Sequence, residues 1–173
     1  MVPELETARL TLRPRAPSDI EAFVAMDSDD VIRRYLPPMF RDNFHAADYR
    51  VALPERMAAD HGPGLGHWTL RLKDAAQTFV GTVLLVPVEG TGPDIEIGWR
   101  LPQAAWGQGY AREAARAVMD HAFGTLGLAA VIALIHADNV RSAALAERLG
   151  LRRVGRRTAY GTVFDLYRLS RPA

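Results

Sequence analysis

The period of the hydrophobic positions changes several times along the chain, and each change marks an element. Leu10 and Leu12 alternate with Thr11 and Arg13, the pattern of a half-buried strand that Pro14 and Pro17 would stop. Ile20, Phe23 and Val24 then recur at helical spacing behind Ser18 and Glu21, a capping-box pair. A short helix is expected over 29–36, ended by Pro37 and Pro38. A longer one is expected over 45–60, kinked or restarted at Pro54 because proline removes a helical N–H. After a glycine-rich break at 61–66, strands are expected at 67–73, 78–88 and 94–101.

The second half is more regular. Ala111, Ala114, Ala115, Val118 and Ala122 fall on one face of a helix over 110–126, with Gly127 as its C-terminal stop. The apolar run 129–135 has the composition of a strand covered on both faces. Asn139 is placed to cap a short helix carrying Leu145 and Leu149, and strands at 151–154 and 163–169 complete the chain. Strand, helix, strand, helix in that order requires a crossover and at least one parallel pairing. The expected architecture is α/β, with one domain over 1–173.

Composition narrows the function. Lys and Arg total 21 against 20 Asp and Glu, a net charge of +1, so a broad phosphate-neutralising surface for nucleic acid is not expected. No cysteine is present, which excludes disulfides, thiolate metal sites and a cysteine nucleophile. The early residues lack an apolar signal core and the apolar runs are short, so a cytoplasmic protein with no membrane partner is expected. The five histidines show no paired ligand spacing, and no metal is expected, even where His61 and His67 flank the glycine-rich break. Arg152, Arg153, Arg156 and Arg157 form either a solvated face or a site for an acidic group.

The candidate chemistry lies at 95–101 and 106–114. A strand leads through Gly107 and Gly109 into the start of the long helix. Glycines allow unusual φ values, so several amides can converge there, and the helix N-terminus adds the positive end of its dipole. Such a cradle suits a phosphate or pyrophosphate. The P-loop pattern is absent because no Gly-Lys-Ser/Thr follows, and the dinucleotide pattern fails for want of a third glycine.

Trp106-Gly107-Gln108-Gly109-Tyr110-Ala111-Arg112-Glu113-Ala114 resembles the phosphate loop and central helix of the GNAT superfamily of N-acetyltransferases. The likeness is to the branch that includes the ribosomal-protein (Rim-type) Nα-acetyltransferases. Asn139, Ser142 and Leu149-Gly150-Leu151 resemble its second motif, and the opening 7–13 is also typical of that branch. The resemblance implies a mixed, strongly twisted sheet of six to seven strands, helices on both faces and a splayed central strand pair. It implies acetyl-CoA as co-substrate and a primary amine as acceptor, either a protein or peptide N-terminus or a small molecule such as an antibiotic, polyamine or amino acid. A coenzyme-binding module without catalysis is the alternative, and a homodimer is compatible with the sequence.

Carried onto this chain, the resemblance has Trp99, Arg100 and Leu101 offering backbone groups to the pantetheine arm and thioester. Trp106, Gly107, Gln108, Gly109, Tyr110 and Ala111 hold the pyrophosphate, and Asn139 and Ser142 contact the arm. Glu96 stands where several relatives carry a base, and strand alternation puts it with Asp94 and Gly98, away from Ile95, Ile97 and Trp99. The alternative is a structural carboxylate paired with an arginine. Many relatives protonate the leaving thiolate with a tyrosine, but Ala146 occupies that position. Ser142, a water or unaided departure is then left, with Tyr160 and Tyr167 as unplaced donors. Tyr35, Phe40, Trp68 and Trp99 are candidates for the amine pocket.

Overall fold

The computed structural model describes residues 1–172. Eight strands form one sheet: β1 (Leu5–Glu6), β2 (Leu10–Pro14), β3 (Gly66–Leu72), β4 (Phe79–Pro87), β5 (Ile95–Arg100), β6 (Ala130–Ile135), β7 (Arg152–Ala159) and β8 (Thr162–Ser170). Their spatial order is β1-β2-β3-β4-β5-β6-β8-β7. Every neighbouring pair is antiparallel except β5 and β6. The strand beyond the expected six to seven is β1, whose two residues are too few to show alternation.

Six helices accompany the sheet: α1 (Ile20–Ser28), α2 (Asp30–Arg33), α3 (Pro38–Arg41), α4 (Ala46–Ala58), α5 (Tyr110–Asp120) and α6 (Val140–Arg148). Three depart from expectation. Pro38 does not merely end a helix; it opens α3, where its fixed φ suits the first turn and its missing N–H costs no bond. Helix α4 runs through Pro54 without restarting. The long helix ends its α-helical part at Asp120 and finishes as a π turn, His121–Thr125, where His121 Nε2 lies 3.0 Å from the Gly64 carbonyl oxygen.

Alternation divides the sheet into two unlike faces. Directly opposed residues of antiparallel strands share a side. The pairs Leu12 with Leu70, Gly81 with Leu70 and Ile97 with Leu85 therefore define one face, packed against α5. There Leu12, Trp68, Leu70, Leu85 and Ile97 are buried with Ala114, Ala115 and Val118 of α5 in one apolar core. The opposite face carries Arg13 with Thr69, Thr82 with Arg100, and Val86 with Glu96. It is covered in part by α1, α2 and α4, whose own apolar cluster of Phe23, Met26, Ile32 and Leu53 is joined to β4 through Phe79. Phe23 and Phe79 meet edge to face, with ring centroids 5.3 Å apart.

Candidate active site

The loop between β5 and α5 has the form of an anion cradle. Gly107 and Gly109 adopt φ of +76° and +81°, values that other residues reach only with strain. A side chain at Gly107 would meet nothing within 4 Å, so the space before the loop is open. Glu113 is the first residue of α5 whose amide finds an acceptor in the loop, the Gly109 carbonyl at 3.0 Å. The amides before it belong to the unsatisfied first turn of a helix. Tyr110 and Ala111 start that turn and Gln108 sits between the two glycines. These features fit a diphosphate.

The N-terminal segment braces this loop. Thr7 Oγ1 donates to Glu113 Oε1 at 2.6 Å, and the Arg9 amide donates to the same oxygen at 2.9 Å. Arg9 Nε donates to Glu113 Oε2 at 2.7 Å, while its Nη1 reaches the Gln108 carbonyl at 3.0 Å. Burial would raise the Glu113 carboxyl, but these bonds outweigh it and hold the group below its ordinary range. The two sequence motifs, 7–13 and 106–114, are thus the halves of one clamp. The sequence flagged both without showing that they touch.

On the strand side, β5 and β6 share a single register pair, Glu96 with Ile132. Neighbouring ladders run much longer; β4 and β5 pair over six positions. Beyond Glu96 the two parallel strands part, and the opening faces the phosphate loop at the C-terminal end of β5. Trp99 turns to the α5 face and packs against the apolar core. Arg100 turns to the other face, where its Nε lies 2.9 Å from Asp27 Oδ1 of α1. The Trp106 indole donates to the Leu101 carbonyl at 2.8 Å, and the Arg141 guanidinium stacks 4.0 Å over that indole. Arg141 thereby ties the start of α6 to the loop before α5.

Glu96 lies at the last paired position, partly buried beside Ile132 and the small apolar cluster of Val88, Ile132 and Ala159. Tyr160 donates its hydroxyl to Glu96 Oε2 at 2.9 Å and accepts from the Glu89 amide at 3.0 Å. Burial pushes the Glu96 carboxyl up to about 7, against the opposing pull of the Tyr160 hydrogen bond and the Arg157 charge. Arg157, whose charge acts on Glu96, is itself paired with Asp94, its Nη1 2.6 Å from Asp94 Oδ2. Tyr160 is held at φ +51° in the β7–β8 turn, and burial followed by the Glu96 charge pushes its hydroxyl pKa up, so it keeps its proton.

Asn139 caps α6, accepting from the Ser142 amide at 3.2 Å, and so sets Ser142 in the first turn. Ala146 is fully buried in the core under α6, where no hydroxyl is on offer. Trp68 is corrected out of the amine pocket. It is 0% exposed on the α5 face and its indole donates to the Pro3 carbonyl at 2.7 Å. Tyr35 stacks on His136 at 5.5 Å, and Phe40 stays exposed on α3. Three of the four clustered arginines are paired: Arg153 and Arg156 with Asp165, Arg157 with Asp94. Tyr167 of β8 is buried in the core on the α5 face, opposite to the face of Glu96 and Ile132. Shallow depressions along α1 and α2 include neither Glu96 nor any residue of β6, so topology locates the site better than volume does. Among the described residues, no helix is long and apolar enough to cross a membrane. Nor is any group of three or more His, Asp or Glu side chains among them placed to hold a metal ion.

A strand pair that parts ahead of a glycine-turned helix N-terminus has the form of a site for a phosphate-bearing ligand. The model of the acetyltransferase (GNAT) domain family matches residues 9–152, and the chain belongs to that family. It is 28% identical over 179 residues to the N-acetyltransferase YoaA of Bacillus subtilis, covering 99% of each chain. It is 34% identical over 162 residues to the FsC-acetyl coenzyme A-N(2)-transacetylase of Aspergillus fumigatus, covering 88% of this chain and 66% of that one. A solved structure of RimL, a ribosomal L7/L12 alpha-N-protein acetyltransferase in complex with coenzyme A, shares the fold. Its TM-score is 0.76 at 16% identity, covering 97% of this chain and 98% of that one.

Proposed function

We propose that the protein transfers an acetyl group from acetyl-CoA to a primary amine, with Glu96 as the base. The observation that carries this is the position of Glu96: a carboxyl with a pKa near 7, at the one residue pair from which β5 and β6 diverge. The loop amides from Gly107 to Ala111 hold the diphosphate, backbone groups of 99–101 line the arm's path, and Asn139 with Ser142 borders it across the opening. The thioester supplies the acetyl group.

An amine must lose a proton to attack, and at neutral pH most amines are protonated. Glu96, near half ionised at pH 7, accepts that proton as the nitrogen–carbon bond forms and the carbon–sulfur bond breaks. Tyr160 fixes the carboxylate by its hydrogen bond and, with its proton committed there, is not the donor to the leaving sulfur. With Ala146 in place of a hydroxyl, the sulfur departs as thiolate or takes a proton by way of Ser142 or water. A thiol of pKa about 8.5 makes either route workable at neutral pH. The acceptor is a peptide N-terminus or a small-molecule amine.

Thiol release from acetyl-CoA, followed across a panel of amines and short peptides, tests this. Glu96→Gln is expected to lower kcat/KM by ~10²- to 10⁴-fold and to abolish the rise of wild-type activity through pH 7. Unchanged turnover across the accessible pH range would remove Glu96 from the base role. Tight coenzyme binding without amine-dependent release would favour a binding module.

A further inference from the structure

The polar face of the sheet holds a second cluster that coenzyme binding and proton transfer leave unused. Arg15 follows β2, and its amide donates to the His67 carbonyl of β3 at 3.4 Å. His67 pairs with Leu84 of β4, and Leu84 with Gly98 of β5. Arg15, His67, Leu84 and Gly98 thus form one row across four strands, each step ~4.8 Å. Glu96 and Arg100 flank Gly98 on the same face, and the Leu84 side chain packs over Gly98 between them, 3.2 Å from where a Cβ would stand. Arg15 projects beneath α1, with its guanidinium 5.0 Å from the Phe23 ring centroid. The His61 and His67 rings lie 5.1 Å apart.

The charges in this cluster are unequal. Asp19 is fully buried but is taken by Arg13 and Arg71, by Thr69 at 2.7 Å and by the Ala16 amide at 3.0 Å. Asp27 is taken by Arg100 and by the Tyr49 hydroxyl at 2.5 Å, and Arg33 caps its carbonyl. Asp60, near His61, accepts from the Gly62 amide at 2.9 Å. Asp19 and Asp27 face four arginines, Arg13, Arg15, Arg71 and Arg100, and although Asp27 Oδ1 accepts no hydrogen bond, no ion pair joins either carboxylate to Arg15 among the described residues. Arg15 Nε and His61 Nε2 are buried without a hydrogen-bond partner, whereas Arg100 is held to Asp27 through its Nη2 at 3.0 Å. Burial first, and then the Arg100 charge, pushes the Arg15 guanidinium down to about 10, against a smaller opposing pull from Tyr49, Asp27 and Asp19. Burial and Arg15 push both imidazoles below their ordinary range, which keeps them neutral and able to hydrogen-bond. A buried group of cations that outnumbers its counter-charges is unfavourable, and an incoming anion relieves that.

We infer that Arg15, with Arg100, His61 and His67, receives a carboxylate of the acceptor, so that the substrate is an amine that also carries an acid. This rests on the acetyl-transfer function proposed above. The Cα atoms of Glu96 and Arg100 are roughly 13 Å apart along the strand, less the reach of both side chains. An amine at Glu96 and an acid at the arginines therefore belong to one small molecule or to one peptide end. A polyamine would bring positive charge to an already cationic pocket and is disfavoured.

The test compares initial rates for amino acids, for their matched carboxamides and for spermidine, all with wild-type protein and acetyl-CoA. The acids are expected to exceed the amides by ~10- to 100-fold in kcat/KM, mostly through KM, as for a charge-assisted hydrogen bond. In Arg15→Gln that ratio falls toward one, and Arg15→Lys restores part of it. Short peptides carrying Asp or Glu, set against Asn or Gln counterparts, separate a peptide acid from a free amino acid. Thiol release that is indifferent to the carboxylate in wild type, or a ratio that survives Arg15→Gln, overturns the inference and leaves acetyl transfer standing. No release with any amine overturns both. The acid-against-amide comparison in wild type needs no variant to fold.

Discussion

The two faces of the sheet are built by one rule and behave as different materials. Both follow the period-two alternation of their strands. On the α5 face the result is an apolar layer in which Leu12, Trp68, Leu70 and Ile97 are at most 1% exposed. On the α1 face the same strands present Arg13, Thr69, Arg71, Glu96 and Arg100, and order comes from matched charges rather than area. Burial alone would raise the Asp19 carboxyl, but its bonds from Arg71, Thr69 and the Ala16 amide and the Arg13 charge hold it below the ordinary range. Where the matching is complete the polar face is structural. Where it is incomplete, at Glu96 and Arg15, buried polar groups are left with Tyr160 as the one hydrogen-bonding partner of the first and an unpaired Nε on the second.

The largest expected effect tests the apolar side. Trp68→Ala removes a fully buried ring and its bond to Pro3, and should cost ~3–5 kcal/mol in urea unfolding. Coenzyme affinity of the folded fraction should persist. A loss below ~1 kcal/mol would mean that this face is not where stability resides.

Next in size is the pH dependence of stability at Glu96. Its folded pKa is raised from 4.5 to about 7, so the folded state binds the proton more tightly than the unfolded chain. The stabilisation is complete below about 4.5 and is lost as pH rises through about 7, amounting to at most roughly 3 kcal/mol. Glu96→Gln lacks this dependence, while carboxylates with lowered pKa, such as Asp19, act equally in both proteins. Unfolding free energies at pH 5 and pH 8 should therefore converge or cross between wild type and variant. Parallel curves would show a carboxylate that ionises without cost, and the contrast between the two faces would weaken.

A smaller effect is expected where the faces meet the phosphate loop. Glu113→Ala cuts the ties to Thr7 and Arg9, of which the Arg9 side chain is 48% exposed. Solvent screening limits the loss to ~1–2 kcal/mol. Hydrogen exchange in β2 should speed up and coenzyme affinity should drop several-fold. Unaltered exchange would show that the clamp is incidental.

How much was legible followed from the range of the interaction. The apolar face and α5 were readable because their signals are local periods, and the phosphate loop because its residues are contiguous. Strand β1 was not readable at two residues, and of the two outcomes expected at Pro54 the helix does not take the restart. Trp68 was offered to the pocket because aromatic character does not say which face it takes; pairing with Val83 does. Glu96 could be placed on its face by alternation, but its partner could not. Tyr160 stands 64 positions away in sequence, and only the return of β7 and β8 brings it near. The Arg15 cluster draws on three separate segments, and no spacing in the chain announces it.

Tyr160→Phe is the finest test of the difference between matched and unmatched charge. The hydroxyl bond lowers the Glu96 pKa against the larger effect of burial, so removing it leaves burial less opposed. The carboxyl pKa must then rise, and the acid limb of kcat/KM must move to higher pH, with the plateau reduced less than in Glu96→Gln. A shift toward lower pH would mean that the phenol had been stabilising the protonated acid. Removing it also frees the Glu89 amide, so the Glu89 turn may be checked by hydrogen exchange to separate a loosened loop from a changed proton affinity. If the limb moves while exchange at Glu89 does not, the tyrosine acts on the charge of Glu96 and not merely on its position.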